Sequence, residues 1–343
     1  MRAVTFQAPE EVRIDEVPEP ELTAPHEAIV RVAASGICGS DLHIYHGRVP
    51  VDRGFTIGHE FVGTVLAAGP EVTRVGEGDR VLGTFHVACA TCSSCLRGEY
   101  HRCRNGRTFG HGSRLGNLPG AQAEQLLCPW ADVNLRRVPE GMPDDVALFA
   151  GDVMGTGYHA VAHAGMKEGD TVAILGLGPV GLSAVQAAIA GGAARVFAVD
   201  SVAERLAIAA SFGATPLHLS EDDVKAEIRA ATGGGADVVV DAVGDPVPLA
   251  MAISLARDAG TVSGVGAYAG KGEVPLGLAW LKCLDLKLGL ANVIAHVDRV
   301  LGLLESGRLD PAPLVSAHMK LDQAPEAYRI FDRREALKIV LTP

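Results

Sequence analysis

Residues 170–200 read "DTVAILGLGPVGLSAVQAAIAGGAARVFAVD", and the change of period inside this stretch decides the fold. "TVAIL" is a short apolar strand. It breaks at glycines, after which "PVGLSAVQAAIA" carries apolar residues at helical spacing and stops at a second glycine pair, and "RVFAVD" is again a strand. A strand, a helix and a strand in succession imply parallel pairing through a right-handed crossover. At the first junction "GLGPVG" supplies Gly176, Gly178 and Gly181, with Pro179 and Val180 opening the helix. Glycines there let the backbone turn tightly, and the free N–H groups and partial positive charge of the helix start receive a pyrophosphate. Asp200 ends the second strand, nineteen positions past Gly181, where a carboxylate accepts hydrogen bonds from an adenosine ribose; the same residue is also placed to cap the following helix. A 2′-phosphate would be repelled by roughly 4 kcal/mol per charge pair at contact in an effective dielectric near 20. NAD is therefore expected over NADP.

The pattern continues outward in both directions. After Asp200 come "VAERLAIAASFG", "ADVVVDAVG", "VPLAMAISLARDAG", "TVSGVGAY" and "LKLGLAN", a second series of strands and helices. Two such halves make a doubly wound, parallel-sheet Rossmann domain over residues 154–291. Before it, "EAIVRVAAS", "FVGTVLAAG" and "DRVLGTF" alternate apolar and polar positions between glycines and prolines. That is the pattern of a small, mostly β domain over residues 1–153. The remainder, 292–343, offers the helix "AHVDRVLGLLESG" and then "APEAYRIFDRREALKIVLTP", a last helix and strand expected to pack back on the first domain.

Composition narrows the function classes. Hydrophobic residues make up 48 % of the 343, but no run approaches the roughly 20 apolar residues of a membrane span. The opening "MRAVTFQAPEEVRID" already alternates like a strand and lacks the apolar core of a secretory signal, so the cytoplasm is the expected compartment. A net charge of −11 with no basic block argues against a nucleic-acid partner.

Seven cysteines are present, four of them within fifteen residues: "CATCSSCLRGEYHRC" places Cys89, Cys92, Cys95 and Cys103 at C-x2-C-x2-C-x7-C. Iron–sulfur clusters use similar spacing and disulfides are a further alternative, but in a chain with no export signal the pattern points first to a structural zinc lobe, about residues 86–104. Four thiolates close the metal's coordination, so that ion would do no chemistry. A different set has room for it. "SGICGSDLHIYHG" (35–47) carries Cys38, "TIGHEFVGTV" carries His59 and Glu60, twenty-one and twenty-two positions later, and "FAGDVMGTGYHA" carries Asp152. A thiolate, an imidazole and a carboxylate leave a fourth position open, the arrangement of a catalytic zinc.

Together "GICGSDLH", "GHEFVG", the four-cysteine lobe, "GLGPVG" and the final "KIVL" resemble the zinc-containing medium-chain alcohol dehydrogenase family over essentially the full length. The resemblance implies an α/β protein with a GroES-like, mostly-β catalytic domain, a Rossmann domain, and a tail that returns to the first domain. It implies two zinc ions per chain and NAD, a small alcohol, aldehyde or ketone as substrate, and a homodimer or homotetramer. The family's first ligand falls on Cys38 and its second on His59. The third, often cysteine, is Asp152 here, as in the secondary-alcohol and formaldehyde-dehydrogenase-like branches; Glu60 is the alternative third ligand, as in polyol dehydrogenases. Ser40 matches the group that receives the alcohol proton, and His43 the histidine that relays it outward. Thr156 matches a residue facing nicotinamide, Val265 a further cofactor contact, Arg205 a basic residue near the adenosine ribose, and Lys338 one near the pyrophosphate. Phe85 matches a substrate-pocket position. Asp41 is read as structural, and Cys128 and Cys283 as packing residues.

The resemblance also implies how the load is divided. Zinc lowers the pKa of bound water from about 15.7 to about 7. A comparable effect on an alcohol is on the order of 12 kcal/mol, against about 1 kcal/mol for a hydroxyl hydrogen bond, so the metal must carry the activation. Two other readings stay open: a polyol, sugar or amino-alcohol dehydrogenase whose pocket loops lie near 45–55 and 105–118, and a non-catalytic NAD-binding protein.

Overall fold

The computed structural model describes residues 1–268 and 271–343. The chain divides into two compact units, one of Met1–Asp152, Asn292–Glu305 and Pro311–Pro343, the other of Val153–Ala291 and Ser306–Asp310.

The first unit is built on a sheet in which Ala28–Ile37 is central. Along one side that strand pairs antiparallel with Glu60–Ala68, which pairs in turn with Arg80–Gly83 and that with Leu135–Arg137. Along its other side Gln125–Cys128 covers the first half and the last strand of the chain, Ile339–Thr342, covers the second. Registers place the chemistry. Gly36 faces Glu60 and Ile37 faces Ile339, so Cys38 leaving one strand, His59 entering the next and Lys338 entering the last all gather at the same end of the sheet. Asp152 arrives there by a different route. The 3-10 turn Leu148–Gly151 docks where Arg80–Gly83 ends, with the Phe85 N–H donating to the Gly151 carbonyl at 3.0 Å. A Cβ on Gly151 would come within 2.1 Å of the Gly83 carbonyl oxygen, so only glycine brings Asp152 this close.

The tail is part of this unit's core. Tyr328 and Phe331 from the helix Ala324–Asp332, with Ile339 and Leu341 from the last strand, pack against Val4, Phe6, Ile37, Ile44 and Ile57. Burying four such side chains stabilises by about 6–12 kcal/mol at about 1.5–3 each. That is comparable to the whole margin of a typical domain, so the tail contributes a large share of this unit's stability.

The second unit is a six-stranded, all-parallel sheet in the order Thr215–His218, Arg195–Asp200, Thr171–Leu175, Ala236–Asp241, Ala256–Gly264 and Asp285–Leu288. Numbered along the chain this is 3-2-1-4-5-6, the doubly wound order with its switch point between the strands that end at Leu175 and Asp241. The expected fold is thus present, with two local differences. "VPLAMAISLARDAG" is not one helix: the helix Pro246–Leu255 stops and Ala256 begins the next strand. Residues 306–310, expected with the tail, belong to the second unit, because Gln186 clamps Asp310 from both sides, donating to its carbonyl and accepting its N–H at 2.7 Å. Among the described residues no helix is long and apolar enough to cross a membrane.

Candidate metal centres and dinucleotide crevice

Cys38 caps the helix Gly39–Tyr45. The carboxylate of Asp41, at the third helical position, reaches back to accept the Cys38 N–H at 2.9 Å, half of a capping box. Its other oxygen accepts the Nδ1–H of His59 at 3.1 Å. That bond fixes the tautomer, leaving the Nε2 lone pair to face the site. Nε2 lies 3.2 Å from Asp152 Oδ2, and the same oxygen lies 3.5 Å from Cys38 Sγ. One donor atom each from Cys38, His59, Glu60 and Asp152 falls within 4.8 Å of all the others.

These separations fit a metal. Tetrahedral ligands at about 2.3 Å for sulfur and about 2.0 Å for nitrogen and oxygen stand about 3.5 Å (S to O) and about 3.3 Å (N to O) apart. The charges agree. Burial opposes a charge on His59, but Asp41 and Asp152 outweigh it and hold the imidazole pKa well above its ordinary value. Burial, then the Asp152 charge, pushes the Cys38 thiol up. The site gathers a thiol, an imidazole and carboxylates in a buried place, a donor set whose ionised form a zinc ion would balance.

Glu60 is occupied. Its Oε1 accepts from Lys338 Nζ at 2.5 Å, both side chains are fully buried, and Nζ also donates to the Ile37 carbonyl at 3.1 Å. Burial pushes the Glu60 carboxyl up to about 7 even against the Lys338 charge. Its Oε2 has no hydrogen-bond partner among the described residues, and it fills the space over Gly36, where a Cβ would lie 2.1 Å away. Lys338 therefore corrects one expectation. The resemblance places it beside the pyrophosphate, but it is 0 % exposed and its ammonium is committed to Glu60 and a carbonyl inside the first unit.

Around the centre, Ser40 Oγ lies 3.3 Å from His59 Nε2. His43 is three positions further along the same helix and so on the same face; its Nδ1 is buried without a partner among the described residues. The Phe85 ring stands 6.3 Å from that of His59, and the His111 ring 5.2 Å. His111 donates its Nδ1–H to the Phe109 carbonyl at 2.8 Å, so its Nε2 is an acceptor. His86, its ring tilted against that of Phe85 with centroids 4.5 Å apart, is buried with neither ring nitrogen bonded among the described residues. Burial brings its pKa down to about 3, so it is neutral.

Cys89, Cys92, Cys95 and Cys103 form the second cluster, again with all donor atoms within 4.8 Å. Adjacent sulfurs stand 3.5, 3.9 and 3.5 Å apart for the pairs 92–95, 92–103 and 89–103. A disulfide needs about 2.05 Å, whereas the edge of one tetrahedral zinc–thiolate site is about 3.8 Å. Burial opposes ionisation of Cys89, yet the Thr91 hydroxyl and nearby backbone N–H groups bring it down to about 5. Burial and the neighbouring sulfurs push Cys95 up. Each new thiolate repels the next, and a divalent cation in the middle removes that conflict. Cys128 is buried in the core, but Cys283 is exposed, so the expectation that it packs fails.

In the second unit the glycine turn follows Leu175. Gly176 adopts φ +83°, and a Cβ on Gly181 would lie 1.8 Å from the Gly176 carbonyl oxygen. Above Gly178, which caps the helix Pro179–Ala190, a Cβ would meet nothing within 4 Å. Pro179 is the first helical residue, where its missing N–H costs nothing, and Val180 follows in the same turn. The cap position of the following helix, Ala203–Ser211, is Val202, and Asp200 instead closes the turns on either side of itself. One oxygen accepts the Leu177 N–H at 2.6 Å and the other those of Ser201 and Val202 at 2.7 and 3.0 Å. Arg205 stands 3.8 Å from the first. Val265 follows the strand Ala256–Gly264 and donates its N–H to the Asp241 carbonyl at 3.0 Å, and Thr156 lies in the first turn of the helix Val153–Ala164. Sequence reasoning undervalued Asp41 and missed Gln122, which bridges Asp41 at 3.4 Å and the Tyr328 hydroxyl at 2.9 Å.

Residues 24–140 match the family described as alcohol dehydrogenase GroES-like domain, and residues 179–300 match zinc-binding dehydrogenase. A probable zinc-binding alcohol dehydrogenase of Mycobacterium tuberculosis is 39 % identical over 348 residues, covering 100 % of this chain and 89 % of the relative. Among solved structures, an alcohol dehydrogenase from Thermus sp. ATN1 superposes with a TM-score of 0.97 at 44 % identity, covering 100 % of this chain and 99 % of that one. A putative zinc-binding dehydrogenase from Sinorhizobium meliloti 1021, solved bound to NADP, superposes with a TM-score of 0.87 at 29 % identity over 100 % and 99 %.

Proposed function

This chain belongs to the zinc-dependent alcohol dehydrogenase family, and on that premise we propose that it interconverts a small alcohol and its aldehyde or ketone with NAD as hydride partner. The observation that carries the reading is the meeting of Cys38, His59 and Asp152 donor atoms at the spacing of a three-ligand metal site. Zinc there supplies a Lewis acid that eases ionisation of the alcohol hydroxyl, and nicotinamide supplies the hydride acceptor. The protein does the rest. Cys38 and His59 hold the ion, and Asp152 is its third ligand, because Lys338 already engages Glu60. Ser40 takes the proton and His43, on the same helix face, passes it outward.

For the dinucleotide, the free space above Gly178 supports a close pyrophosphate. Thr156 and Val265 serve nicotinamide, Arg205 the adenosine ribose. Asp200 supports NAD over NADP, and the nearby Arg205 already faces it. The four-cysteine cluster takes a second, structural zinc. A substrate panel of primary alcohols, secondary alcohols and polyols, followed by NADH absorbance, tests the reading. Reduction of NADP alone overturns the assignment to Asp200, and absence of turnover with every substrate favours a non-catalytic binding protein.

One observation favours a polyol or amino-alcohol substrate as a second reading. His86 and His111 place unused neutral imidazole nitrogens in the neighbourhood of Phe85 and His59, and a second polar group on the substrate would satisfy them. We also propose a homodimer or homotetramer in the cytoplasm with no nucleic-acid partner. Trp280, 81 % exposed, and Leu281, 71 % exposed, beside the sheet-edge strand Asp285–Leu288 support self-association. The net charge of −11 and the free thiols suit the rest.

A further inference from the structure

Asp200 is matched, across the switch point, by a second strand-ending aspartate. Asp241 closes the strand Ala236–Asp241 directly beside Leu175, the last residue before the glycine turn, and is fully buried. All its acceptors are engaged. Oδ1 accepts the N–H groups of Val243 at 2.8 Å and Gly244 at 3.3 Å, and Oδ2 accepts the Tyr268 hydroxyl at 2.5 Å. Its main-chain carbonyl accepts the N–H groups of Val265 at 3.0 Å and Gly266 at 3.2 Å, and the next residue, Ala242, donates to the Leu175 carbonyl at 3.0 Å.

Three loops at the carboxyl ends of adjacent strands thus converge on one residue, and they touch without slack. A Cβ on Gly266 would lie 2.1 Å from the Gly244 nitrogen, and one on Gly176 would lie 2.4 Å from Val243 Cγ2. Closing the 243–244 turn needs only Oδ1, which an asparagine would supply without burying a charge. The second oxygen is used to reach Tyr268, beyond Val265, and so ties down the loop that leaves the neighbouring strand.

We propose that Tyr268 and Asp241 are positioning residues for the dinucleotide, a latch that holds the Val243 and Val265 loops as the wall for the nicotinamide half while Asp200 serves the adenosine half. The proposal rests on the reading that the chain binds a nicotinamide dinucleotide. Ligands in open α/β sheets bind outside the carboxyl ends of the strands at the switch point, and Asp241 and Asp200 end the two strands that flank the one leading into the glycine turn.

Tyr268→Phe removes one hydroxyl and leaves the ring. In the zinc-loaded protein, NADH should bind about tenfold more weakly, the size of losing one charge-assisted hydrogen bond, while ADP-ribose, which lacks nicotinamide, should bind as to wild type. Without any cofactor, amide exchange at Val243, Gly244, Val265 and Gly266 should speed up by about tenfold, with zinc content unchanged. Asp241→Asn, which keeps an acceptor for the turn, should show the same split. Equal weakening of NADH and ADP-ribose would make the pair merely structural, and unchanged NADH affinity or unchanged exchange would end the proposal. Failure of wild type to bind either NADH or NADPH would instead strike at the function proposed above, and the cofactor-free exchange would still judge the latch.

Discussion

The two metal centres use similar donors in opposite ways. Four cysteines from fifteen consecutive residues make up the first, with sulfur edges of 3.5–3.9 Å. The second draws Cys38, His59 and Asp152 from a span of 114 residues, and it exists only because strand registers and the Gly151 contact bring them to one end of a sheet. The local centre organises its own loop, where no strand longer than two residues helps it. The assembled centre is organised by everything around it, including a buried lysine just before the last strand. Local closure suits a brace, and long-range assembly with an open position suits chemistry.

Substitutions at the ligands press this contrast hardest. Cys38→Ser should lower turnover by at least about a thousandfold, near 4 kcal/mol of barrier, drop zinc from two to one per chain, and leave the unfolding temperature nearly unchanged. Cys92→Ser should also drop zinc to one, but with a lower unfolding temperature and turnover per remaining active site within about tenfold, since structural zinc sites contribute folding energy outright. Calorimetry and metal analysis on both variants check the pair; equal effects on stability would erase the distinction.

Lys338→Met should come next. Leaving Glu60 buried and unpaired costs about 3–5 kcal/mol of stability, read from denaturant midpoints, and the double variant with Glu60→Gln should recover most of it. Smaller still is Asp41→Asn, which loosens the His59 ring without removing a ligand. Zinc affinity at the catalytic centre should weaken by about 10- to 100-fold, measured by chelator competition, with the four-cysteine site unaffected.

The same contrast explains what was legible in the sequence. C-x2-C-x2-C and the glycine turn declare themselves because their partners sit within a few residues, and the doubly wound parallel sheet followed from alternating periods. Cys38, His59 and Asp152 could be singled out by residue type, but only the resemblance joined them into one site, since no local pattern encodes that Gly36 faces Glu60. Lys338 was misplaced for the same reason. Ahead of "IVL" a lysine looks like a strand-edge cation, and only the pairing of Ile37 with Ile339 sends it beneath Glu60. Asp41 reads from the sequence only as structural, because its capping bond is local while its bond to His59 is not. One signal was available and unused: "VVVD" repeats the ending of "FAVD", and the strand-ending Asp241 mirrors Asp200 across the crevice.

An anomalous-scattering map of crystals grown with zinc tests the central claim most directly. The account predicts a peak within about 2.0–2.3 Å of Cys38 Sγ, His59 Nε2 and an Asp152 oxygen, with Glu60 still on Lys338 and one position facing no protein atom. Zinc bound by the four cysteines alone, with Cys38, His59 and Asp152 sharing no ion, would contradict it.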